Sequence, residues 1–462
     1  MAPPDSIRAE LRPLLRLALP LALAQAGQAL MGAVDVAVLG RASPELLAGA
    51  GLGNALFFGF AVLGMGVMQG LDPLVSQALG AGDADRARRL VWQGVWLALG
   101  LAVALALPIA LAPALLRPAG ISPAVAREAV RFLSWRLPGL PLALVFFAPR
   151  AYLMARARVR PMLVAVALAN VLNLALDVLL VFGGARWPSW TGPLRAIPAL
   201  GVAGAANASN ASNLIQVLVL GLSLRAGSRS PRRRTFAPPH PGELALALRV
   251  GLPTGLHVFA EVAFFSLASI LAGRLGAVPL SAHQVALQLA SVTFTVALGL
   301  GNGGSVRVGL AVGAGDRRGA RRAGLAAFAG AASFMACTAL AFLVFPGAVA
   351  RLMTDDAAVI ATAAPLLRVA ALFQLSDGLQ AVGAGVLRGA GVTRFTFAVN
   401  MVAYWVVGLP LSLLLAFGLG LGVLGLWAAF VVCLALVAAS LVVRFLRVSS
   451  REIAPLAGRD AA

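Results

Sequence analysis

The chain has 462 residues, of which 60% are hydrophobic and 12% are charged, and its mean hydropathy is +0.91. Soluble globular domains are usually about half apolar and a quarter charged, so this composition argues against a soluble enzyme or a nucleic-acid-binding domain. A membrane span needs about 20 apolar residues, which leaves room for about a dozen spans. All 37 basic residues are arginine. The absence of lysine excludes a P-loop ATPase and a retinal Schiff base.

Twelve apolar segments follow one another along the chain and predict an all-α polytopic membrane protein with twelve transmembrane helices. The first six segments run over residues 14–39, 47–71, 91–116, 132–155, 161–183 and 201–224. The second six run over residues 249–273, 281–305, 323–346, 361–387, 395–418 and 421–443. The first segment is too long and too polar for a cleaved signal peptide, so we expect it to be retained.

The arginines between the segments predict the orientation of the chain. With the N-terminus inside, arginines on the cytoplasmic side outnumber those on the opposite side by roughly three to one, as expected because basic loops stay in the cytoplasm. The same distribution accounts for the net charge of +20 without a nucleic-acid partner. We therefore predict that both termini are cytoplasmic.

One long polar segment divides the chain. Residues 225–243 are rich in Arg, Ser and Pro, as is typical of a flexible connection. The prediction is an N-terminal six-helix lobe at 1–224, a cytoplasmic linker at 225–248, a C-terminal six-helix lobe at 249–447 and a cytoplasmic tail at 448–462.

The two halves repeat at a constant offset of 233 residues. LGAGD at 79–83 recurs as VGAGD at 312–316, and Pro20 corresponds to Pro253. An even number of spans in each half implies parallel repeats related by a pseudo-two-fold axis along the membrane normal, as in alternating-access transporters. Each GAGD tetrapeptide follows an apolar span and enters an arginine-rich stretch, so we interpret it as a tight turn rather than a phosphate-binding loop.

Acidic residues inside the predicted spans are candidates for a functional site, because a carboxylate at the bilayer centre costs about 2.5–3.5 kcal/mol and should face a cavity or a partner. Gln25, Gln28 and Asp35 recur at helical spacing in the first segment, and Asn173 and Asp177 share one face of the fifth. Two carboxylates with amide oxygens suit a proton or a sodium ion, so a possible sodium site at Asp35, Asn173 and Asp177 is one prediction. The alternatives are helix packing for the glutamines and a hydrated helix end for Asp177.

A second set of polar residues lies in the seventh and tenth segments. Glu261 lies within the seventh, and His257, one turn earlier, either pairs with it or is a hydrogen-bonded core histidine. Asp377 lies in the tenth, with Gln374 and Gln380 three residues away on either side. No HExxH or GxSxG motif occurs and only three histidines are present, so we predict neither enzymatic activity nor a resident cofactor.

Stretches spread over nearly the whole chain are similar to those of one known family. They include VDVAVLGR, NVLNLALDVLLVFG and GVAGAANAS in the first half, and VGLPTGLHVFAEVAFF, SAHQVALQ and LFQLSDGLQAVGAGVLRGAGVTR in the second. On these stretches the chain resembles the multidrug and toxic compound extrusion family, most closely its NorM-like and DinF-like bacterial branches. The resemblance implies an antiporter of the bacterial inner membrane that admits protons or sodium as a drug-like, often cationic, organic compound leaves.

The resemblance also implies roles for residues of the first half. Asp35 matches the N-lobe carboxylate of the family, and Asn173 and Asp177 match its polar partners. Ser209 falls where a Thr is common. These four residues are the predicted cation-coupling set of the N-lobe, and protons or sodium would be the coupling ion.

In the second half, Glu261 and Asp377 match the acidic pair proposed for cation or substrate in the NorM-like branch. Some relatives have a Tyr where this chain has Phe373, so a possible oxygen ligand is lost and either lobe could couple. We expect further polar residues of a central cavity at Gln25, Gln28, His257 and Gln374. The predicted partners are small organic cations and membrane lipid, with the protein a monomer. The alternatives are a lipid-linked oligosaccharide flippase of the same superfamily and a membrane-embedded enzyme, which the missing nucleophile–base pairs disfavour.

Overall fold

The structure is a computed structural model that describes residues 6–116, 118, 120–186, 189–226, 236–451 and 453–456. Residues 227–235 of the predicted linker and residues 452 and 457–462 of the predicted tail therefore lie outside the described residues. The described ranges contain helices and turns and no β-strand, which confirms the all-α fold class.

Nine α-helices come from the first half of the chain and eight from the second. Those of the first half are α1 (Ile7–Gly40), α2 (Pro44–Met68), α3 (Leu71–Gly80), α4 (Ala84–Leu111), α5 (Pro123–Arg136), α6 (Leu140–Val145), α7 (Phe147–Ala155), α8 (Arg160–Phe182) and α9 (Val202–Ala226). Those of the second half are α10 (Pro241–Arg274), α11 (Ala277–Gly313), α12 (Arg317–Val344), α13 (Pro346–Arg351), α14 (Ala357–Gly389), α15 (Thr393–Met401), α16 (Leu409–Leu413) and α17 (Gly422–Ser449). All of these counts refer to the described residues.

Within the described ranges, 11 helical segments are long and apolar enough to cross a membrane, and they coincide with eleven of the predicted spans. The sixth predicted span is present as the 25-residue helix α9, but it is less apolar than the others. The reason is its run of amide and hydroxyl side chains, Asn207, Ser209, Asn210, Ser212 and Asn213. Such residues in a membrane helix face other helices rather than lipid.

Three of the spans are interrupted. Gln69 and Gly70 separate α2 from α3, and the 3₁₀ turn Leu137–Gly139 separates α5 from α6. The π-helical stretches Val402–Gly408 and Leu414–Gly418 flank α16. Interruptions of this kind free backbone polar groups, and within a membrane they are tolerated where neighbouring helices satisfy those groups.

Both GAGD tetrapeptides form the same turn, as the sequence predicted. Gly82 and Gly315 have φ of +81° and +70°, a region that favours glycine. The N–H of Asp83 donates to the carbonyl of Ala78, and the N–H of Asp316 donates to that of Ala311, each at 2.9 Å. Two equal turns at the repeat offset support the two-fold internal repeat.

Packing divides the described chain into two compact units. Unit 1 consists of the described residues of Met1–Ala22, Asp72–Ala84 and Leu252–Ala462, and unit 2 of those of Leu23–Leu71 and Asp85–Gly251. Each unit therefore contains most of one half of the chain and shorter segments of the other.

The core of unit 1 is aromatic. Tyr404 stacks on Phe264 at a ring separation of 5.1 Å, and Phe430 meets Phe264 edge to face at 5.5 Å. The indole of Trp427 donates to Nδ1 of His283 at 3.2 Å, and Nε2 of that histidine lies 3.1 Å from Oγ of Ser269. Because Nδ1 accepts the bond from the indole, the proton of the neutral ring is on Nε2.

Unit 2 relies on small residues and on one docked segment. Glycines 49 and 53 allow α2 to approach the backbone of α5, because a Cβ at either position would overlap it. The chain that leads into α10 is attached to α4 by Gln93, whose amide donates to the carbonyl of Pro238 and accepts from the N–H of His240, each at 2.8 Å. The ring of Phe236 packs against Trp92 at 5.2 Å.

Candidate functional site

Four of the predicted residues come together in unit 2 and form what we call the N-half site: Asp35 of α1, Asn173 and Asp177 of α8, and Ser209 of α9. Nδ2 of Asn173 donates to Oδ1 of Asp35 at 3.0 Å, and Oγ of Ser209 donates to Oδ2 at 3.1 Å. Each carboxylate oxygen of Asp35 thus has a donor. Donors of this kind favour the charged form of a carboxyl group.

Asp177 has the opposite environment. It is fully buried rather than hydrated, its carboxyl group interacts directly with that of Asp35, and neither of its oxygens has a hydrogen-bond partner among the described residues. The amide oxygen of Asn173 is also buried without a partner there. Ionisation of both of two adjacent buried carboxyl groups is costly unless a cation lies between or beside them. A proton on Asp177, or a sodium ion held by these oxygens, would satisfy that requirement.

A basic residue that sequence reasoning did not assign to the site lies beside it. Arg136 is at the end of α5, and its Nη1 donates to Oδ1 of Asn210 at 2.6 Å. Its guanidinium lies over the ring of Phe57 at 4.7 Å. Arg136 also interacts electrostatically with Asp35. The sequence offered one signal for it, namely an arginine inside an apolar segment.

The glutamine stripe of α1 has two different surroundings. Nε2 of Gln28 donates to Oε1 of Gln216 on α9 at 2.7 Å, so this residue joins two helices of unit 2. Gln25 is exposed.

The predicted acidic residues of the second half come together in unit 1, in what we call the C-half site: His257 and Glu261 of α10, Asp377 and Gln380 of α14, and Tyr404. Nε2 of His257 lies 3.3 Å from Oε2 of Glu261, so the two side chains are close, but this nitrogen makes no hydrogen bond among the described residues. Nε2 of Gln380 donates to the other oxygen, Oε1, at 3.2 Å.

Asp377 and Tyr404 complete this site. Asp377 is 4% exposed and interacts electrostatically with Glu261. Tyr404 comes from the π-helical stretch after α15, is fully buried, and its phenol interacts with both acids. Sequence reasoning treated Phe373 as a lost oxygen ligand, and Phe373 packs against Trp427 at 5.4 Å. A hydroxyl from another helix therefore lies beside the acids, although local spacing gave no sign of it.

Gln374 lies on the same helix but bonds elsewhere. It is fully buried, and its Nε2 donates to Oγ1 of Thr293 at 2.7 Å and of Thr338 at 3.4 Å. It connects α14 to α11 and α12 rather than to the two acids.

The repeat offset shows that the two sites are not equivalent. Gln28 corresponds to Glu261 at the offset of 233, whereas Asp35 lies seven residues further along α1. Seven residues are two helical turns, or about 10 Å along the axis, on nearly the same face. The principal acid of the N-half site is therefore about two turns closer to the C-terminal end of its helix than that of the C-half site.

A family model and curated relatives give the same family for this chain. The family model described as MatE matches residues 20–179 and 253–414. A "Probable multidrug resistance protein NorM" of Rhizobium meliloti is 36% identical over 453 residues, which is 95% of this chain and 93% of that protein. The multidrug resistance protein PmpM of Pseudomonas aeruginosa is 33% identical and covers 97% of this chain and 93% of its own.

Solved structures with the same fold include the eukaryotic MATE transporter AtDTX14, with a TM-score of 0.81, 22% identity and 96% coverage of both chains. A MATE structure described as being in the straight conformation has a TM-score of 0.82 at 20% identity and covers 97% of both chains. At these identities the likeness concerns the fold, and it supports twelve transmembrane helices in two lobes.

Proposed function

The chain belongs to the multidrug and toxic compound extrusion family, and on that premise we propose that it is a secondary antiporter. It exports drug-like, often cationic, organic compounds in exchange for protons or sodium ions by alternating access. The observation that carries the coupling part of this proposal is the pair of adjacent carboxyl groups at Asp35 and Asp177, where oxygens of Asp177 and Asn173 have no hydrogen-bond partner among the described residues.

The coupling step follows from that pair. When the site holds no proton or sodium ion, both carboxyl groups are ionised, and this is costly because burial and the neighbouring like charge disfavour the charged form. A proton or sodium ion relieves this cost, and its binding shifts the conformational equilibrium by its differential affinity for the two states. Release of the ion on the other side of the membrane restores the charged site.

The C-half site offers a second place for a cation or a cationic substrate. Glu261 and Asp377 supply negative charge, and Gln380, His257 and Tyr404 surround them with polar groups. We assign substrate or ion binding to this site and coupling to the N-half site, because Asp177 is fully buried and neither of its oxygens has a hydrogen-bond partner among the described residues.

The remaining features are part of the same proposal. The lobes at 1–224 and 249–447 lie in the inner membrane of a bacterium and alternate between outward-open and inward-open states. Both termini are in the cytoplasm, as the arginine distribution supports. The protein acts as a monomer, carries no resident cofactor, and catalyses no chemical step on its substrate. A lipid-linked oligosaccharide flippase would need a larger cationic cavity, whereas arginines within the spans are few and Arg307 is paired with Glu10.

The test is transport by the purified protein in liposomes. Ethidium movement is measured under an imposed proton gradient, under an imposed sodium gradient and with neither. We expect gradient-driven transport with one of the two ions and only slow equilibration without a gradient. Equal rates in all three conditions would contradict antiport.

A further inference from the structure

Arg136 has a guanidinium whose identified contacts within unit 2 are to neutral groups. Its Nη1 bonds the amide oxygen of Asn210, and its plane lies near the ring of Phe57. Its positive charge is therefore not neutralised by a hydrogen-bonded carboxylate, although the guanidinium interacts electrostatically with Asp35. Arg136 lies in the fourth apolar segment, where a charged side chain is costly, so a neutral setting calls for a functional reason.

The position of the guanidinium is fixed by a chain of close contacts. Nδ2 of Asn210 donates to the carbonyl of Trp135 at 2.7 Å, which holds the amide so that its oxygen meets Arg136. Any side chain at Gly139, in the 3₁₀ turn that ends α5, would overlap Oδ1 of Asn210. The helix break and this glycine together allow α5 and α9 to approach closely enough for the bond.

The acid and the base are held by consecutive residues of α9. Ser209 donates to Asp35, and Asn210 accepts from Arg136. Consecutive side chains on a helix diverge by about 100°, so the two groups are kept on different sides of α9. The guanidinium is close enough to act electrostatically on Asp35 and is tied away from bonding it.

We propose that Arg136 is a positioning residue that acts as a fixed counter-charge and restricts the N-half site to a single coupling charge. This inference rests on the proposed coupling role of that site. With both acids ionised, the set Asp35, Asp177 and Arg136 carries one net negative charge, and one proton or sodium ion neutralises it. Without Arg136 the same two acids would carry two charges and would hold the coupling ion more tightly.

The expected effect of the Arg136 charge on the cation affinity of the N-half site follows from Coulomb's law. Loss of one nearby unit charge that acts through an effective dielectric constant of about 20 changes the affinity of the site for a cation roughly tenfold. Other charged groups on the surrounding helices are the same in wild type and in the Arg136 and Asn210 variants. They are Arg41 directly after α1, Glu45 on α2, Arg127, Glu128 and Arg131 on α5, Arg150 on α7, Arg160 on α8 and Arg225 on α9.

The test compares variants in the liposome assay with ethidium, with external pH or sodium concentration varied. Arg136→Gln should raise the pH of half-maximal transport by about one unit, or lower the half-maximal sodium concentration about tenfold. Arg136→Lys retains the charge and should stay near the wild-type midpoint. Asn210→Ala frees the guanidinium to reach Asp35 and should move the midpoint in the opposite direction. Arg131→Gln, an exposed arginine of the same helix, is the matched control and should leave the midpoint unchanged.

The outcomes separate this inference from the proposed function. If wild type shows no gradient-driven transport, the proposed function is wrong. If wild type is coupled but Arg136→Gln keeps its midpoint, the counter-charge is wrong. If Arg136→Gln does not reach the membrane, Asn210→Ala provides the test. A pH of half-maximal transport that is unchanged or higher in Asn210→Ala, or a half-maximal sodium concentration that is unchanged or lower, contradicts the inference. A purely structural role would lower the rate without moving the midpoints in opposite directions.

Discussion

Asn173 donates a 3.0 Å hydrogen bond from its amide nitrogen to Oδ1 of Asp35. One turn further along α8, Asp177 approaches the same carboxylate and brings no donor. A single helix thus presents both a stabilising and an opposing group to one acid. This contrast makes Asp35 the better-stabilised anion of the two and Asp177 the group that most needs a cation.

Removal of the anion should uncouple the protein. We expect Asp35→Asn to abolish gradient-driven ethidium transport while leaving the amount of folded protein in the membrane near wild type, because an amide keeps the shape and loses the charge. The measurement is transport in liposomes, with size-exclusion behaviour as the check on folding. Ser209→Ala, which removes one donor and no charge, is the comparison and should retain coupled transport with a shifted ion dependence. Wild-type rates in Asp35→Asn would contradict the assignment.

The sequence predicted the part of this site that depends on local spacing. The interval of four between Asn173 and Asp177 and the apolar segments around them were sufficient to place both on one face of a buried helix. The contacts with Ser209 and Arg136 join residues far apart in the chain, and no local pattern indicates such a pairing. Tyr404 was missed for a related reason, because its position depends on a π-helical stretch that apolar periodicity does not reveal.

The C-half site should respond to neutralisation in a different way. We expect Glu261→Gln and Asp377→Asn each to weaken transport of cationic ethidium by tenfold or more, because each removes a negative charge that is only partly solvated. Tyr404→Phe keeps the ring stacked on Phe264 and removes only the hydroxyl, so a smaller loss of roughly two- to tenfold is expected. If both acid variants transport at wild-type rates, the pair is structural.

The segment docked on α4 should contribute measurably to stability. Gln93→Ala removes a bond to the carbonyl of Pro238 and one from the N–H of His240, and it leaves these backbone groups without their partner. We expect a loss of about 1–3 kcal/mol, seen as a lower Tm of the purified protein in detergent. Ser291→Ala is the control, because that hydroxyl is exposed and bonds only its own helix. A Tm equal to wild type would show that the docked segment is not held by this residue.

Glu10 and Arg307 form an ion pair at 2.5 Å within unit 1, and the glutamate is 2% exposed. The pair ties the first turns of α1 to α11, so its energetics should be strongly non-additive. Glu10→Gln leaves the guanidinium without its acid, and Arg307→Gln leaves a buried carboxylate without its base. Each single change should cost about 3–5 kcal/mol, because an uncompensated buried charge is more costly than a missing pair. The double variant should cost less than the sum by about 1–3 kcal/mol. A double-mutant cycle on thermal unfolding measures this coupling, and strict additivity would mean that the two side chains do not pair in the folded protein.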